Sequence, residues 1–301
     1  MSGIERIVLG CGNFGGVGSA LSLVGHGEGV HEAFELMDVA WAHGVRRFDT
    51  ASSYGGGRSE QTIGAWIRGR RPDGLTLTSK AFHPVREGDD AGLAPARLRR
   101  VVHESLERLG VERIDRYLIH ERDPATPLAE TLAALEGLVE EGVIGTIGVS
   151  NVDGAYLAEA VALAPIALVQ NEYSLLVRHD ERDVLPLCAE HGISFEAFSP
   201  LAGGWLAGKY RRGEAFPPGS RMTLRPDPYA DFLRDEVYDA VHELARRGDP
   251  ATLAVAWVLA NPLVSTVVVG PRRPAHLDPV WAALDERVER DELTELFAWS
   301  R

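Results

Sequence analysis

Cysteine is scarce in this chain: only Cys11 and Cys188 occur among its 301 residues. Two cysteines so far apart form neither a disulfide framework nor a metal-binding spacing, so the sequence predicts no metal site. Scarcity of cysteine is also typical of proteins that work in a reducing compartment. We therefore expect a cytoplasmic protein.

Long apolar runs and an excess of positive charge are absent as well. The sequence has no run of 18 apolar residues, and its first segment, MSGIERIVLGCG, lacks the charged start and apolar core of a signal peptide. The formal net charge is −13, which on average repels the phosphate backbone of nucleic acids. Neither a membrane nor a nucleic acid is therefore an expected partner.

What the sequence does contain is an alternation of β-rich runs and helical patterns, repeated eight times. The predicted strands are residues 7–10, 45–49, 75–81, 115–120, 144–151, 167–170, 193–199 and 264–270. Helix signals lie between them, such as Ser59 as a candidate N-cap and Pro95 in a first turn. The pattern predicts a (β/α)₈ TIM barrel as a single domain over residues 1–301, with an open doubly wound sheet as the alternative.

Polar residues stand at or next to the C-terminal tips of six predicted strands. In a barrel these tips meet at one mouth, where the active sites of this fold lie. An Asp–Lys pair alone at such tips is equally consistent with a structural ion pair. Because six strands each supply one such residue, the pattern predicts an active site. The six residues are Asp49, Lys80, His120, Asn151, Gln170 and Ser199.

The residues at three of these tips suggest proton transfer. Tyr54 follows Asp49 by five residues and precedes three glycines that permit a sharp bend. A lysine ammonium beside the phenol, anchored by Asp49, would lower the tyrosine pKa from about 10 and make it a proton donor near neutral pH. His120 would orient a carbonyl or pass a proton. Because no thiol or serine–histidine pair stands at the tips, we expect a nicotinamide hydride as the attacking group.

Six segments resemble, in order along nearly the whole chain, motifs of the aldo-keto reductases: FDTASSYGGGRSE, TSKA, LIHERD, IGVSN, VQNEYSLL and FSPLAGGWLAGKY. The resemblance implies a (β/α)₈ oxidoreductase that reduces an aldehyde or ketone with NADP(H), or with NAD(H). It also carries over a catalytic tetrad. Tyr54 is then the general acid, Lys80 lowers its pKa, Asp49 holds Lys80, and His120 positions the carbonyl oxygen.

The resemblance further implies a set of cofactor-binding residues. Ser150, Asn151 and Gln170 match residues that hold the nicotinamide amide, and Phe198 matches the aromatic residue that stacks on its ring. The loop that wraps the pyrophosphate corresponds to Ser199, Pro200, Leu201, Ala202 and Gly203. Contacts to the cofactor phosphates are expected from Lys209, Arg221, Gly270, Arg272 and His276, since guanidinium groups bind phosphate well.

Several positions depart from the family pattern. Phe198 stands where tyrosine is common, and His276 replaces an arginine or glutamine. Pro279 and Val280 stand where a Glu-Asn pair often holds the adenine, so the choice between NADP and NAD stays open. Only six residues precede the first strand, which indicates that the usual hairpin at the barrel bottom is reduced or missing. An additional acidic helix is expected at residues 291–299.

The remaining expectations concern the substrate and the partners. Phe14 and Phe82 follow strand ends and are expected to line the site of a small carbonyl substrate, such as a sugar or secondary-metabolite carbonyl. His83 is expected at the surface, and the RLRR segment at 97–100 on a solvated helix face. A second hypothesis is a cofactor-binding regulatory subunit of the potassium-channel β-subunit type, with little turnover. No feature indicates assembly, so a monomer is the expected state.

Overall fold

The computed structural model describes residues 3–299, in which eight parallel strands close into a barrel in sequence order. The predicted strands all overlap observed ones, and their ends differ by at most two residues. The prediction of a single-domain (β/α)₈ TIM barrel is confirmed, and the open sheet is excluded. The strands are β1 (Ile7–Gly10), β2 (Arg47–Asp49), β3 (Thr76–Ala81), β4 (Ile114–Ile119), β5 (Ile144–Ser150), β6 (Ile166–Glu172), β7 (Ser194–Phe198) and β8 (Thr266–Val269).

The helices form the outer layer of the barrel. One helix follows each of β1 to β6, three helices lie between β7 and β8, and two follow β8. Their bounds are α1 (Val30–Ala42), α2 (Arg58–Arg70), α3 (Pro95–Leu109), α4 (Leu128–Glu140), α5 (Gly154–Leu163), α6 (Val184–His191), α7 (Arg221–Leu224), α8 (Asp235–Arg247), α9 (Pro250–Leu259), α10 (Asp278–Asp285) and α11 (Arg290–Leu296).

Local sequence signals explain where several helices begin and end. Helix α3 starts at Pro95, whose missing N–H costs nothing in a first turn, and it ends at Gly110 with φ 68°. Helix α9 is apolar almost all round because it packs between α8 and α10 as well as on the barrel. The prediction that Ser59 caps α2 was wrong. The helix begins at Arg58, and the Ser59 hydroxyl instead donates to the Cys11 carbonyl oxygen at 2.9 Å, which fastens α2 to β1.

Two other expectations about the helices were wrong. Helix α8 was missed, although Val237, Val241 and Leu244 form a buried stripe at helical spacing. Arg97 does not lie on a solvated face: it is buried and donates to the carbonyl oxygens of Asp90, Gly92 and His83 at 3.1, 2.6 and 3.0 Å. This one side chain therefore holds the loop after β3 in a fixed shape.

The two ends of the described segment cover the barrel differently. At the bottom, a 3₁₀ turn (Ile4–Arg6) precedes β1, and within residues 3–299 no strand comes before it. Arg6 closes this end by donating to the carbonyl oxygens of Leu259 and Val264, both at 2.8 Å. Helix α11 forms near the predicted position and is shorter than predicted. Within residues 3–299, no helix is both long and apolar enough to cross a membrane.

Candidate active site

Three of the residues proposed as a tetrad meet around the Lys80 ammonium group at the barrel mouth. Lys80 has no exposed surface, and its Nζ donates to the two carboxylate oxygens of Asp49 at 2.7 and 2.8 Å. The same nitrogen lies 3.0 Å from the Thr50 carbonyl oxygen and 3.4 Å from the Tyr54 hydroxyl. The Lys80 ammonium group thus lies between the Asp49 carboxylate and the Tyr54 phenol, as the sequence predicts.

His120 completes the group. Its ring lies edge-on to the Tyr54 ring, with 5.5 Å between the centroids. The side chain is 7% exposed, and no partner among residues 3–299 bonds its buried Nδ1. Burial, together with the positive charge of Lys80 and the neighbouring His83, lowers the pKa of His120 well below its ordinary value. His120 is therefore neutral at neutral pH.

The pKa of Tyr54 does not behave as the sequence led us to expect. Burial raises it above its ordinary value, and the opposing effect of Lys80 is not large enough to reverse the shift. Asp49 adds negative charge that also raises it. The Lys80 pKa is raised too, because Asp49 and Tyr54 outweigh the effect of burial. In the protein alone, the phenol and the ammonium both stay protonated at neutral pH.

Glycines place the Tyr54 side chain. The three residues after Tyr54 all have left-handed backbones, and Gly55 has φ 58°. A Cβ atom on Gly55 would lie 2.5 Å from the Phe14 carbonyl oxygen, so the loop after β2 presses directly on the loop after β1. Gly12 in that second loop faces the Tyr54 ring, where a Cβ atom would lie 3.4 Å from the ring. The glycines predicted to bend the loop after β2 therefore also allow its backbone to lie against the loop after β1.

The residues expected to hold the nicotinamide amide lie beside the tetrad. The Ser150 hydroxyl donates to the Gln170 carbonyl oxygen at 2.6 Å, and Asn151 Nδ2 donates to the His120 carbonyl oxygen at 2.9 Å. Gln170 Nε2 donates to Asp49 Oδ2 at 2.8 Å. The first two bonds join the ends of neighbouring strands, and the third joins β6 to β2 across the barrel. Whether the three side chains bind a cofactor stays a prediction.

Strained backbone is concentrated at the same rim. Among the described residues other than glycine, four have positive φ, and three of them are Asn151 (56°), Ser199 (54°) and Ala202 (46°). Conformations of this kind cost about 1–3 kcal/mol each and cluster at functional sites. Gly203 is left-handed as well, and the Tyr229 ring lies against it. The loop after β7 thus has left-handed backbone at Ser199, Ala202 and Gly203. Of its other predicted members, Pro200 is buried and both Phe198 and Leu201 are half-buried.

Cations gather on the other side of this loop. The pKa of Lys209 is lowered, by partial burial and by the charges of Arg272, Arg273 and Arg221. The pKa of His276 is lowered by partial burial and by Arg273, Lys209 and Arg272. Gly270, exposed at the end of β8, begins the segment that carries two of these arginines. Crowded like charges of this kind suit a polyanion.

One acid, not anticipated from the sequence, lies within this cation cluster. Glu28 is 7% exposed, and its Oε1 accepts from Arg272 Nε at 2.5 Å. Arg272 also donates to the Gly219 carbonyl oxygen, and Arg221 donates to Asn13 Oδ1 at 2.6 Å. Glu28 Oε2 is buried, with no partner among the described residues. Glu28 thus occupies one of the guanidinium groups predicted to bind phosphate.

The two aromatic residues predicted to line the substrate site differ. Phe14 has no exposed surface and belongs to the hydrophobic core, so it is not presented to the mouth. Phe82 is half-buried, and its ring lies edge-on to His83. The expectation for His83 also needs correction: its ring centroid is 5.0 Å from that of His120, and its Nε2 is 3.0 Å from Glu121 Oε1. A polar pair therefore borders the tetrad.

These observations fit a nicotinamide cofactor: a strained backbone loop, a cation cluster beside it, and a neutral histidine with an unpartnered buried nitrogen at the mouth. A (β/α)₈ barrel with such a site is an oxidoreductase candidate. The model of the Aldo/keto reductase family matches residues 6–299. The chain belongs to this family, and it is an oxidoreductase that depends on a nicotinamide cofactor and acts on small carbonyl compounds.

Three known proteins are similar to this chain over most of its length. The uncharacterized oxidoreductase YrpG of Bacillus subtilis (strain 168) is 33% identical over 312 residues, covering 97% of this chain and 91% of that protein. A probable voltage-gated potassium channel subunit beta of Arabidopsis thaliana is 33% identical, covering 85% of this chain and 83% of that protein. The structure of the glycerol dehydrogenase AKR11B4 from Gluconobacter oxydans matches with a TM-score of 0.81 and 26% identity, covering 98% and 92% of the two chains.

Proposed function

We propose that this enzyme reduces an aldehyde or ketone to an alcohol with NADPH, with Tyr54 as the general acid. The observation that carries the proposal is the position of Lys80 Nζ, which is bonded to both oxygens of Asp49 and lies 3.4 Å from the Tyr54 hydroxyl. A cation at this distance stabilises the phenolate that forms when the phenol gives up its proton.

The side chains divide the reaction as follows. When bound, the cofactor supplies the hydride that attacks the carbonyl carbon. The neutral His120 ring donates a hydrogen bond to the carbonyl oxygen and orients it. The Tyr54 hydroxyl transfers its proton to that oxygen as negative charge develops there, and Lys80 holds the resulting phenolate until solvent reprotonates it. Asp49 keeps Lys80 in place and charged throughout.

The preference for NADP(H) is supported by the charge at the phosphate side. Lys209, Arg221, Arg272 and Arg273 contribute four cations, and the carboxylate of Glu28 pairs with one of them. The pyrophosphate and the 2′-phosphate together need more positive charge than the pyrophosphate alone. Glu28 works against this preference because it pairs with Arg272, so we expect NAD(H) to be accepted with lower affinity.

The substrate is proposed to be a polar carbonyl compound, with a sugar-type aldehyde as the first candidate. The support is the rim beside His120, where the His83 and Glu121 side chains are 25% and 45% exposed and bonded to each other. Such groups exchange hydrogen bonds with substrate hydroxyls, whereas a purely aromatic substrate leaves them unused. The similar glycerol dehydrogenase is named for a polyol, which agrees with this preference.

The alternative is a regulatory subunit with little turnover, and the similar plant protein named as a potassium channel subunit keeps it open. The tetrad counts against this alternative, because a protein that only bound cofactor would not need a buried Lys80 aimed at a phenol. For the chain in solution we keep the proposals of one domain over residues 1–301, a monomer and a cytoplasmic location. Size-exclusion chromatography tests the oligomeric state.

The test uses NADPH and NADH with glyceraldehyde, benzaldehyde and a ketone. We expect turnover with NADPH and a higher kcat/KM for glyceraldehyde than for benzaldehyde. Tyr54→Phe should lower kcat by two to four orders of magnitude and leave cofactor binding, measured by fluorescence titration, within a few-fold. Cofactor binding without any turnover by the unmodified protein would favour the regulatory alternative. Unchanged turnover in Tyr54→Phe would refute the role of Tyr54.

A further inference from the structure

A second buried carboxylate lies beside the tetrad. Glu196 on β7 has no exposed surface and pairs in register with Gln170 on β6 and with Thr266 on β8. Gln170 Nε2 donates to Glu196 Oε1 at 2.7 Å and to Asp49 Oδ2 at 2.8 Å. One amide group therefore bridges two acids, whose nearest oxygens lie within about 5.5 Å of each other.

Both carboxylate oxygens of Glu196 accept hydrogen bonds, and a guanidinium group lies close to one of them. Oε2 accepts from the Thr266 hydroxyl at 2.7 Å, and Arg116 lies 3.7 Å from the same oxygen. Burial and the charge of Asp49 raise the pKa of Glu196, while Thr266, Gln170 and Arg116 oppose the rise. Two accepted hydrogen bonds and a guanidinium group near Oε2 are the surroundings that favour the charged form of a carboxylate.

The bridge also fixes the orientation of Gln170. An amide nitrogen carries two hydrogens, and here each has a carboxylate to bond. The opposite orientation would place the amide oxygen against two anions, so it is excluded. Gln170 is left with its carbonyl oxygen as the free polar atom, and it can offer only an acceptor to a ligand. That matches a nicotinamide amide, whose NH₂ group is a donor.

We propose that Glu196 is a positioning residue that orients Gln170 for the cofactor and adds a second negative charge behind Lys80. This inference rests on the proposed role of Tyr54 as proton donor. Glu196 faces Asp49 on β2, Arg47 on β2 and Arg116 on β4, and its charge also reaches Lys80 on β3. Tyr54 itself faces Lys80, Asp49, Cys11 and the His120 ring.

The negative charge has a measurable consequence. It favours the protonated form of Lys80, whose pKa Glu196 raises, and Lys80 Nζ lies 3.4 Å from the Tyr54 hydroxyl, so the two groups titrate as a coupled pair. Carbonyl reduction needs a protonated Tyr54 and is lost as the pH rises through the pKa of this coupled pair. Removing the charge lowers that pKa. The alkaline limb of the pH profile must therefore move to lower pH.

The experiment compares Glu196→Gln with Thr266→Val in the full chain. Glu196→Gln keeps the shape and removes the charge. We expect its alkaline limb of kcat/KM to lie about one pH unit lower, and the Kd for NADPH from fluorescence titration to rise several-fold. Thr266→Val removes one neutral donor from the same carboxylate and leaves the carboxylate itself with Gln170 and Arg116 beside it, so we expect the charge to stay. Its alkaline limb should stay where it is.

The outcomes separate this inference from the proposed function. If Tyr54→Phe abolishes turnover while Glu196→Gln leaves both the limb and the Kd unchanged, Glu196 only packs the barrel and the inference fails. If Tyr54→Phe retains turnover, the proposed function fails first. Should Glu196→Gln not fold, Glu196→Asp keeps the charge and shortens the reach. It should then keep the limb and weaken NADPH binding, and unchanged binding would overturn the inference.

Discussion

The ion pair between Asp49 and Lys80 allows folding and catalysis to be separated by mutation. Lys80 has no exposed surface, and the Asp49 side chain is 4% exposed. Asp49→Asn leaves this ammonium group buried opposite a neutral amide. Breaking a buried pair by removing one partner costs about 3–5 kcal/mol. In a chain of this size, such a loss lowers Tm by roughly 5–8 °C. From the sequence alone, the same substitution would be expected to harm turnover far more than folding.

The double variant Asp49→Asn/Lys80→Met removes the buried cation together with its partner. Because an apolar side chain of similar length has no charge to desolvate, most of the lost stability should return. Activity should not return: both variants should turn over at least a hundredfold more slowly, because the single variant leaves Lys80 without the carboxylate that holds it and the double variant leaves Tyr54 without a cation. Urea unfolding and glyceraldehyde reduction measure the two properties separately.

The control is the surface pair of Arg99 and Glu141, each 45% exposed. Glu141→Gln should change stability by less than about 1 kcal/mol and leave turnover unaltered. The reasoning would be refuted if Asp49→Asn were as stable as the unmodified protein. It would also be refuted if the double variant were no more stable than the single one, or if it kept turnover.

Two further predictions concern charge elsewhere in the site. In Glu28→Gln, Arg272 loses its carboxylate partner, so the KM for NADPH should fall about fivefold relative to that for NADH in steady-state kinetics, and an unchanged ratio would contradict a phosphate site here. The pKa of His120 is far lower in the folded state than its unfolded value of about 6.5, so the folded state loses stability as the pH falls below that value, by up to about 1.4 kcal/mol per pH unit. His120→Asn should remove this loss, seen as a smaller difference in urea midpoint between pH 7 and pH 5; an equal difference in both proteins would show that His120 is not its source.

The barrel and the tetrad could be predicted because each depends on local pattern. The alternation of β-rich runs and helical patterns determines the architecture. Asp49, Lys80 and His120 are recognisable as polar groups at the C-terminal ends of apolar strands. In a closed parallel barrel, the C-terminal ends of all strands lie at the same mouth, so the meeting of these residues follows from the topology. Tyr54 needed one further signal, the glycines that turn its loop back.

Other features depended on which distant side chains meet. Glu196 was visible as an acid in the middle of SFEAF, which is a signal for an inward-facing charge. Its role, however, follows from the register that sets it beside Gln170. Arg97 looked like one cation in a basic helix face, yet it is buried because three loop carbonyl oxygens converge on it. Glu28 and Arg272 are 244 positions apart, and no local pattern couples them.

The sequence by itself determined the fold class, the positions of the strands and the identity of the four proposed catalytic side chains, because these follow from periodicity and from residue type at strand ends. Only the tertiary structure decided the electrostatics. The pKa of Tyr54 is raised and not lowered, since it depends on the full set of buried charges and on desolvation. These vary with distance and burial in three dimensions, and a one-dimensional spacing does not contain them.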